Sequence, residues 1–559
     1  MVGSISTSAV TIKKAIGISD TQFNIEYIRI NNAEVGELVL DTGEWGGFYG
    51  VDLQGSRIGK LIIRGHGYVD FNYYKGLENV KELVLDKTLD GVSGMVNISG
   101  WSGAGSTFTV DGVEYLISSF RGKETVKVIN IIGNSVVIPA EVSFGGKEYT
   151  VGEVRVDDKT IQKLEIMGDH VNVNIYSSKI DELRSNYIPY VSQNSTVGKF
   201  VLIGDTPTEV NCYILAEMNA ESVEFDAPIS YFEGDITPLS KYGMETVTFD
   251  SIVYLKTVIQ GKNVMYIVRI VEGDDIDVMI HGSFQYGGVE YSVLGMINAD
   301  GNRNIRNVVV ESVPDQGMNF YKSSLKSLIF NNVAPIDLTD SNFRACDQLN
   351  RVEFNGPVKT ISRALFNDST EIRTLIFSGS IDNIGPNAFA SNGFIENLVF
   401  NGTIGKISYE SFGSFTKLKS VTFKGDVTSV DKRAFNACSK LESITFEGNL
   451  GELQMVRGCK ALKNITVVGN VGLIDTAAFH YDDVSSIEDL NLSAGHYGIV
   501  DYFAFNGLKV SDKIINEILK KSDHISPDAF YDVSILRDDR YEIYNHTFDT
   551  FFESVHSTS

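Results

Sequence analysis

The stretch Lys432–Gly448, KRAFNACSKLESITFEG, holds an Ala-Phe pair, a lone cysteine, a leucine and a short alternating run that stops at a glycine. The same order returns in PNAFASNGFIENLVFNG (386–402) and YESFGSFTKLKSVTFKG (409–425). Aligned on the apolar residue that closes each run, the chain reads Phe330, Phe354, Phe377, Phe400, Phe423, Phe446, Val467 and Leu492, with successive differences of 24, 23, 23, 23, 23, 21 and 25. A second landmark keeps the same register: an aromatic stands six residues before each leading Leu or Ile, from Phe343 before Leu349 to Phe435 before Leu441. A fixed period of this length marks a repeat architecture.

The last third of each copy alternates apolar and polar, as in Ile444-Thr445-Phe446, which is the period of a strand with one buried face. The Ala-Phe part reads as a short turn of helix or 3₁₀ on the other side of a coil. A copy of ~23 residues cannot bury its apolar face alone, so coils must stack and close the core between neighbours. The expected fold is therefore a β-rich repeat solenoid. Weaker copies fill much of the remainder: VGELVL, IGKLII and VKELVL close at Leu40, Ile63 and Leu85. IQKLEI, VGKFVL, AESVEF and METVTF close at Ile166, Leu202, Phe225 and Phe249, with Ile180–Leu183 as a truncated coil.

These residues carry a resemblance. The copy I-x-x-x-A-F-x-x-C-x-x-L-x-x-[VIL]-x-[FL]-x-G resembles the leucine-rich repeat of BspA-type surface proteins. A β-unit found with such repeats is similar to FTVDGVEYLI (108–117) followed by VVIPAEVSFGGKEYTVGEV (136–154), and Tyr286–Tyr291 parallels Phe144–Tyr149 in a degenerate second copy. The implied fold is a leucine-rich solenoid interrupted by two small antiparallel β-units. Its divisions are N-terminal strands and degenerate repeats at 1–105, a first β-unit at 106–155, middle repeats at 156–250 and a second β-unit at 251–298. The main solenoid follows at 299–510, and 511–559 forms a C-terminal helical cap, in which SDKIINEILKKSDH places Ile514, Ile515, Ile518 and Leu519 on one helical face behind Ser511 as N-cap.

Composition narrows the partners. Acidic residues outnumber basic ones by 72 to 48, a net charge of −24, so nucleic acid and anionic membranes would meet long-range repulsion. No window approaches a membrane span, and MVGSISTSAVTIKKAIG lacks the basic-then-apolar pattern of a secretory signal. Four cysteines without a C-x-x-C pair make neither a disulfide framework nor a zinc site. Cys346, Cys438 and Cys459 each fall three residues before the leucine of their coil, an interior slot that suits a small apolar thiol. A disulfide between Cys438 and Cys459 is geometrically conceivable, although rungs on that side are expected to splay. Cys212 lies outside the register.

Catalytic chemistry is not visible. The Gly-Lys pairs are never followed by Ser or Thr, which excludes a P-loop, and GWSGAG (100–105) reads as a junction. The eight histidines, His66, His170, His281, His480, His496, His524, His546 and His556, have no second ligand at metal spacing. HYDD at 480–483 and NADGNRN at 298–304 read as solvated loops. No metal, cofactor or enzymatic activity is expected.

What remains is the outward face of the strands. Two columns alternate with the buried residues: Arg351, Thr374, Asn397, Ser420, Ser443, Asn464 and Asp489; then Glu353, Ile376, Val399, Thr422, Thr445, Thr466 and Asn491. Thr and Asn suit any solvated strand face. The same columns also form a shallow surface of the kind solenoids offer to extended ligands. Together with the resemblance, this implies a non-enzymatic binding or adhesion protein whose partner is a protein or glycan on a host or neighbouring cell, with room for assembly into a larger oligomer. A cell-surface adhesin and a surface-exposed virion component, such as a phage fibre or tail protein, both fit; a cytoplasmic protein-interaction scaffold is the alternative.

Overall fold

Alternating Val, Ile and Phe positions demand a neighbour for their buried face, and successive coils supply it. The structure, a computed structural model, describes residues 6–13, 28–42, 50–86, 88–98, 102–120, 123–168, 172–431, 433–454, 459–476, 478–479, 491–537 and 540–544. It divides into two compact units, residues 1–244 with 258–261, and residues 245–257 with 262–559.

In the second unit the repeat builds a leading sheet of ten parallel strands from Ile276–Ile280 to Asn491–Ser493. Phe330, Phe354, Phe377 and Phe400 sit in register across it, as the spacing requires. Each coil also carries a second strand that sequence reading did not expect, and these form a sheet of nine from Ile336–Asp337 to Ser522–Ile525. Their apolar residues stand at first and fourth positions, as in Val358 and Ile361, instead of alternating. The pairing skips the residue after the first, with Val358↔Ile381, Thr360↔Asn383 and Ile361↔Ile384, so both ends of a four-residue strand point inward. A period-2 search is blind to that pattern.

Between the two sheets run two columns of phenylalanine. Rings of 330, 354, 377, 400, 423 and 446 stack at 4.6–5.2 Å. Rings of 320, 343, 366, 389, 412 and 435 stack at 5.0–5.5 Å. The columns meet edge to face, as in Phe377–Phe389 at 5.6 Å and 87°, the geometry favoured by the ring quadrupole. The Ala-Phe corner itself is a tight turn with left-handed residues on both sides of the ring, Asn387 and Ser391 around Phe389 and Glu410 and Ser414 around Phe412. These conformations stop a helix from propagating there. After each strand a glycine lets neighbouring coils touch backbone to backbone: a Cβ on Gly425 would lie 2.7 Å from the Gly402 carbonyl oxygen.

Cys346, Cys438 and Cys459 are buried free thiols in one interior slot. Each thiol donates to a phenylalanine carbonyl of the preceding coil, Phe320 at 3.1 Å, Phe412 at 3.2 Å and Phe435 at 3.3 Å. Ser369 does the same to Phe343 at 2.8 Å. The slot thus selects a small donor, because that carbonyl is buried at a corner the sheets do not reach. Cys212 is buried on the helix Cys212–Glu217 of the first unit.

The helix expected near the C-terminus spans Asp512–Lys521 and buries Ile514, Ile515 and Ile518; the Ser511 side chain makes no capping bond. The repeat continues past it, since Ser522–Ile525 pairs with His496–Val500 and Phe530 stacks on Phe505 at 5.2 Å. A hairpin, Val533–Arg537 with Arg540–Tyr544, follows. Residues 545–559 of the expected cap lie outside the described residues.

In the first unit Leu40, Ile63 and Leu85 align in a parallel sheet. A second ladder aligns Ile138, Ile166, Ser185, Leu202 and Phe225, with Lys179–Ser185 as the short coil. The β-unit hairpin of Glu141–Phe144 with Lys147–Asp157 has its twin in the second unit, Ser283–Tyr286 with Val289–Leu294. Both turns hold two glycines with positive φ, Gly145 at 60° and Gly146 at 77°, Gly287 at 59° and Gly288 at 81°, as a two-residue hairpin loop of this kind needs. The reading of METVTF as a solenoid coil is corrected here. Glu245–Phe249 pairs antiparallel with the strand beginning at Ile252, so the second β-unit opens at Glu245, ahead of residue 251.

Two outcomes follow from this packing. Phe389→Ala removes a ring from both contact directions and should cost about 3–5 kcal/mol, read as a lower urea midpoint at unchanged slope. Burial pushes the thiol of Cys438 up from 9.0 to about 12 and that of Cys346 to about 11. Only the unfolded chain can release those protons, so stability should hold below about pH 9 and fall as pH rises toward 12. Buried tyrosines act in the same direction, so the difference is what matters: Cys438→Ser keeps the donor and should flatten the slope between pH 9 and 11 in urea titrations.

Candidate functional site

The outward columns of the leading sheet are positioned by the strand pairing that fills the core. Arg351 pairs with Thr374 and Glu353 with Ile376. Asn397, Ser420, Ser443 and Asn464 form one unbroken column, and Val399, Thr422, Thr445 and Thr466 the other. The expected ladder is interrupted between these groups. Of the strands Thr374–Phe377 and Asn397–Phe400, only Phe377 and Phe400 are in register, so the rungs above and below that seam form two stretches.

At the last rung the register differs from expectation. Asn491 pairs with Asn464, in the first column, and Ser493 pairs with Thr466, in the second. Ala494, also buried, takes the closing place that Leu492 was expected to fill, and Leu492 pairs with Ile465. This coil is 27 residues from Asn464 to Asn491, and its extra length moved the apparent alignment by two. Asp489 lies outside the described residues.

Toward the N-terminus the structure adds rungs that sequence reading missed. Asp277, Asn307 and Ser327 continue the first column to Arg351, and Met279, Val309 and Ile329 continue the second to Glu353. Their coils lack the Ala-Phe landmark, and the first of them crosses the second β-unit. The alternation in Val308-Val309-Val310 carries no polar marker of which residue faces out.

The face is mostly uncharged. Ser420 Oγ donates to Asn397 Oδ1 at 2.7 Å, and Asn491 Nδ2 to Asn464 Oδ1 at 3.4 Å. The exceptions are Asp277, Arg351 and Glu353, the last 7% exposed and paired with Arg351. Beside the first column runs a rail of charges, Arg373, Glu396, Lys419, Glu442 and Lys463, which alternate in sign coil by coil. Lys419 Nζ lies 2.8 Å from Glu396, and its ammonium lowers the Glu396 carboxyl below its ordinary value. Both are fully solvated, so the pair contributes little.

His281 is the one histidine with a built surrounding among the described residues. Its Nδ1 lies 2.7 Å from Glu311 and its Nε2 2.7 Å from Asp250, which ties the first hairpin turn of the second β-unit to the ends of two sheet strands. No spacing in the sequence signals it, because the partners lie 30 and 31 residues away. His170, His480, His546 and His556 lie outside the described residues. NADGNRN is a turn in which Asn302 Oδ1 accepts from the backbone of Asn304 and Ile305. Among the described residues no cluster of three His, Cys, Asp or Glu is placed to hold a metal ion, and no helix is long and apolar enough to cross a membrane.

A search of curated protein sequences finds no relative of the chain. Among solved structures, a leucine rich cell surface protein from Faecalibacterium prausnitzii is 11% identical, with 66% of this chain and 96% of that one covered at a TM-score of 0.17. The pneumococcal vaccine antigen PcpA is 13% identical, with 76% and 99% covered at 0.19. A leucine-rich repeat protein from Bacteroides ovatus is 14% identical, with 69% and 99% covered at 0.17. Overlaps this small carry no inference about function. The sequence profile of the BspA type leucine rich repeat region matches residues 316–442 and 405–537, in six copies. Over that span, where the strand register and the phenylalanine columns are most regular, the repeats of this chain are of the BspA leucine-rich type.

Proposed function

We propose that the chain is a non-enzymatic binding or adhesion protein that presents the outward face of its leading sheet to a protein or glycan ligand at a cell or virion surface. The observation that carries this reading is the ladder: side chains from separate coils, Asn397 to Asn464 and Val399 to Thr466, held in strict register on a solvated sheet. Such a surface is flat, repetitive and poor in charge, which suits capture of an extended ligand through many small contacts. It lacks the paired acid and base that a reaction would need. The BspA-type repeat supports a binding role at a surface.

Thr422→Arg combined with Thr445→Arg puts two long cations into the middle of the second column without touching the core. Ligand capture from host or partner-cell extracts should fall at least tenfold while the urea midpoint stays within the error of the wild type. Unchanged capture by a folded double variant would remove this face from the assignment. Location separates the remaining choices. Cleavage by protease added to intact cells supports an adhesin, and recovery in purified particles supports a virion component. Protection in intact cells together with absence from particles would favour the cytoplasmic scaffold.

A further inference from the structure

The second column changes character along its length. Its C-terminal rungs, Thr422, Thr445, Thr466 and Ser493, are what a solvated strand face selects. Its N-terminal rungs at the same position of the same fold are Met279, Val309, Ile329 and Ile376, half-buried, with the acid Glu353 between the last two. Past Val399, itself apolar and exposed, the C-terminal rungs act as an internal control: position alone does not call for an aliphatic residue here. The stripe is one residue wide. The first column beside it is polar, and on its other side Asn355 Nδ2 donates to Asn331 Oδ1 at 2.8 Å.

We propose that this stripe is the docking site of a basic amphipathic helix from a partner protein, lying across the strands. The proposal rests on the reading of this face as a binding surface. Spacing selects the helix. Rungs repeat every ~4.8 Å, and a helix presents one apolar turn every ~5.4 Å. It therefore drifts by ~0.6 Å per turn and stays within half a rung over the ~19 Å from Met279 to Ile376. Same-face side chains of an extended peptide repeat every ~6.7 Å and lose the register after about one step. A second sheet would match the spacing but would have to bury the polar first column, Asp277 and Arg351 included.

Charge selects the sign. Three of the four cations flanking the stripe are paired within the chain, Arg306 with Asp275, Arg351 with Glu353, and Arg373 with Glu371, while Lys326 is exposed. One end of the stripe lies beside the exposed acids Glu272 and Asp274, with Asp277 on its first rung. The chain as a whole carries −24, which attracts a cationic partner and repels a second copy of itself. Glu353 supplies a polar notch that fixes register, since the helix residue above it must bring a donor or leave room for the Arg351 pair.

The test uses the full chain and an 18-residue peptide with leucines at i, i+4, i+7 and i+11 and lysines elsewhere. A peptide of the same composition with its leucines spread around the helix, and one with a central proline, are the controls. Fluorescence anisotropy in 0.15 and 0.5 M salt should show the striped peptide binding at least tenfold tighter than either. Ile329→Asp should weaken it at least tenfold, and Ser493→Asp, which adds the same charge in the same column beyond Thr466, by less than twofold. Ile329→Thr, copying the C-terminal rungs, serves if the Asp variant does not fold. Equal effects of the two Asp variants, or equal binding of the control peptides, would overturn the proposal in favour of plain charge attraction. A self-association of the chain that Ile329→Asp abolishes would overturn it in favour of a second copy. If capture depends on Thr422 and Thr445 while the peptides are not discriminated, the ladder reading stands and the helix fails; the opposite pattern does the reverse.

Discussion

Among the described residues, successive coils are held to one another by hydrogen bonds between parallel strands, and that one constraint propagates through the rest. Parallel pairing at ~4.8 Å fixes which atoms of successive coils face each other. Identical side chains therefore stack on identical side chains, and a residue type that tolerates its own copy at that distance is favoured. Phenylalanine does so because offset rings stack at the same separation, and glycine does so where backbones approach too closely for a Cβ, as at Gly402 and Gly425. The interior slot of Cys346 and Ser369 follows the same logic through a donor that each coil aims at the last.

The same constraint explains what was legible. The leading strands announce themselves by alternation and by a 23-residue return of Phe, so register and core could be read from Phe330 to Phe446. The second sheet was illegible because Val358 and Ile361 both point inward with two outward residues between them, a spacing that belongs to no standard period. The last rung was misplaced by two because a coil of unusual length offers two apolar closers, Leu492 and Ala494, and only pairing to Ile465 decides between them. METVTF has the alternation of a coil and the pairing of a hairpin; direction of pairing is not written in a strand's own residues.

Of the candidate face, the rungs from Arg351 and Glu353 onward, Ile376 and Val399 among them, were visible, and Met279, Val309 and Ile329 were not. Thr422 and Thr445 stand out because they interrupt a hydrophobic run, whereas Val309 disappears into one. The tie of His281 to Asp250 and Glu311 was hidden for a different cause, since it joins three segments that only the fold brings together.

The alternating rail of Arg373, Glu396, Lys419, Glu442 and Lys463 bears on how such an array grows and shrinks. Loss of the single coil that carries Glu396 would set Arg373 beside Lys419, like charge against like, at every solvated distance the backbone allows. Loss of two adjacent coils would restore opposite neighbours at once. The one close pair along it, Lys419 with Glu396, is solvent-exposed and weak, yet the alternation would bear on any gain or loss of coils. Changes in array length by even numbers of coils are the ones this surface leaves unopposed.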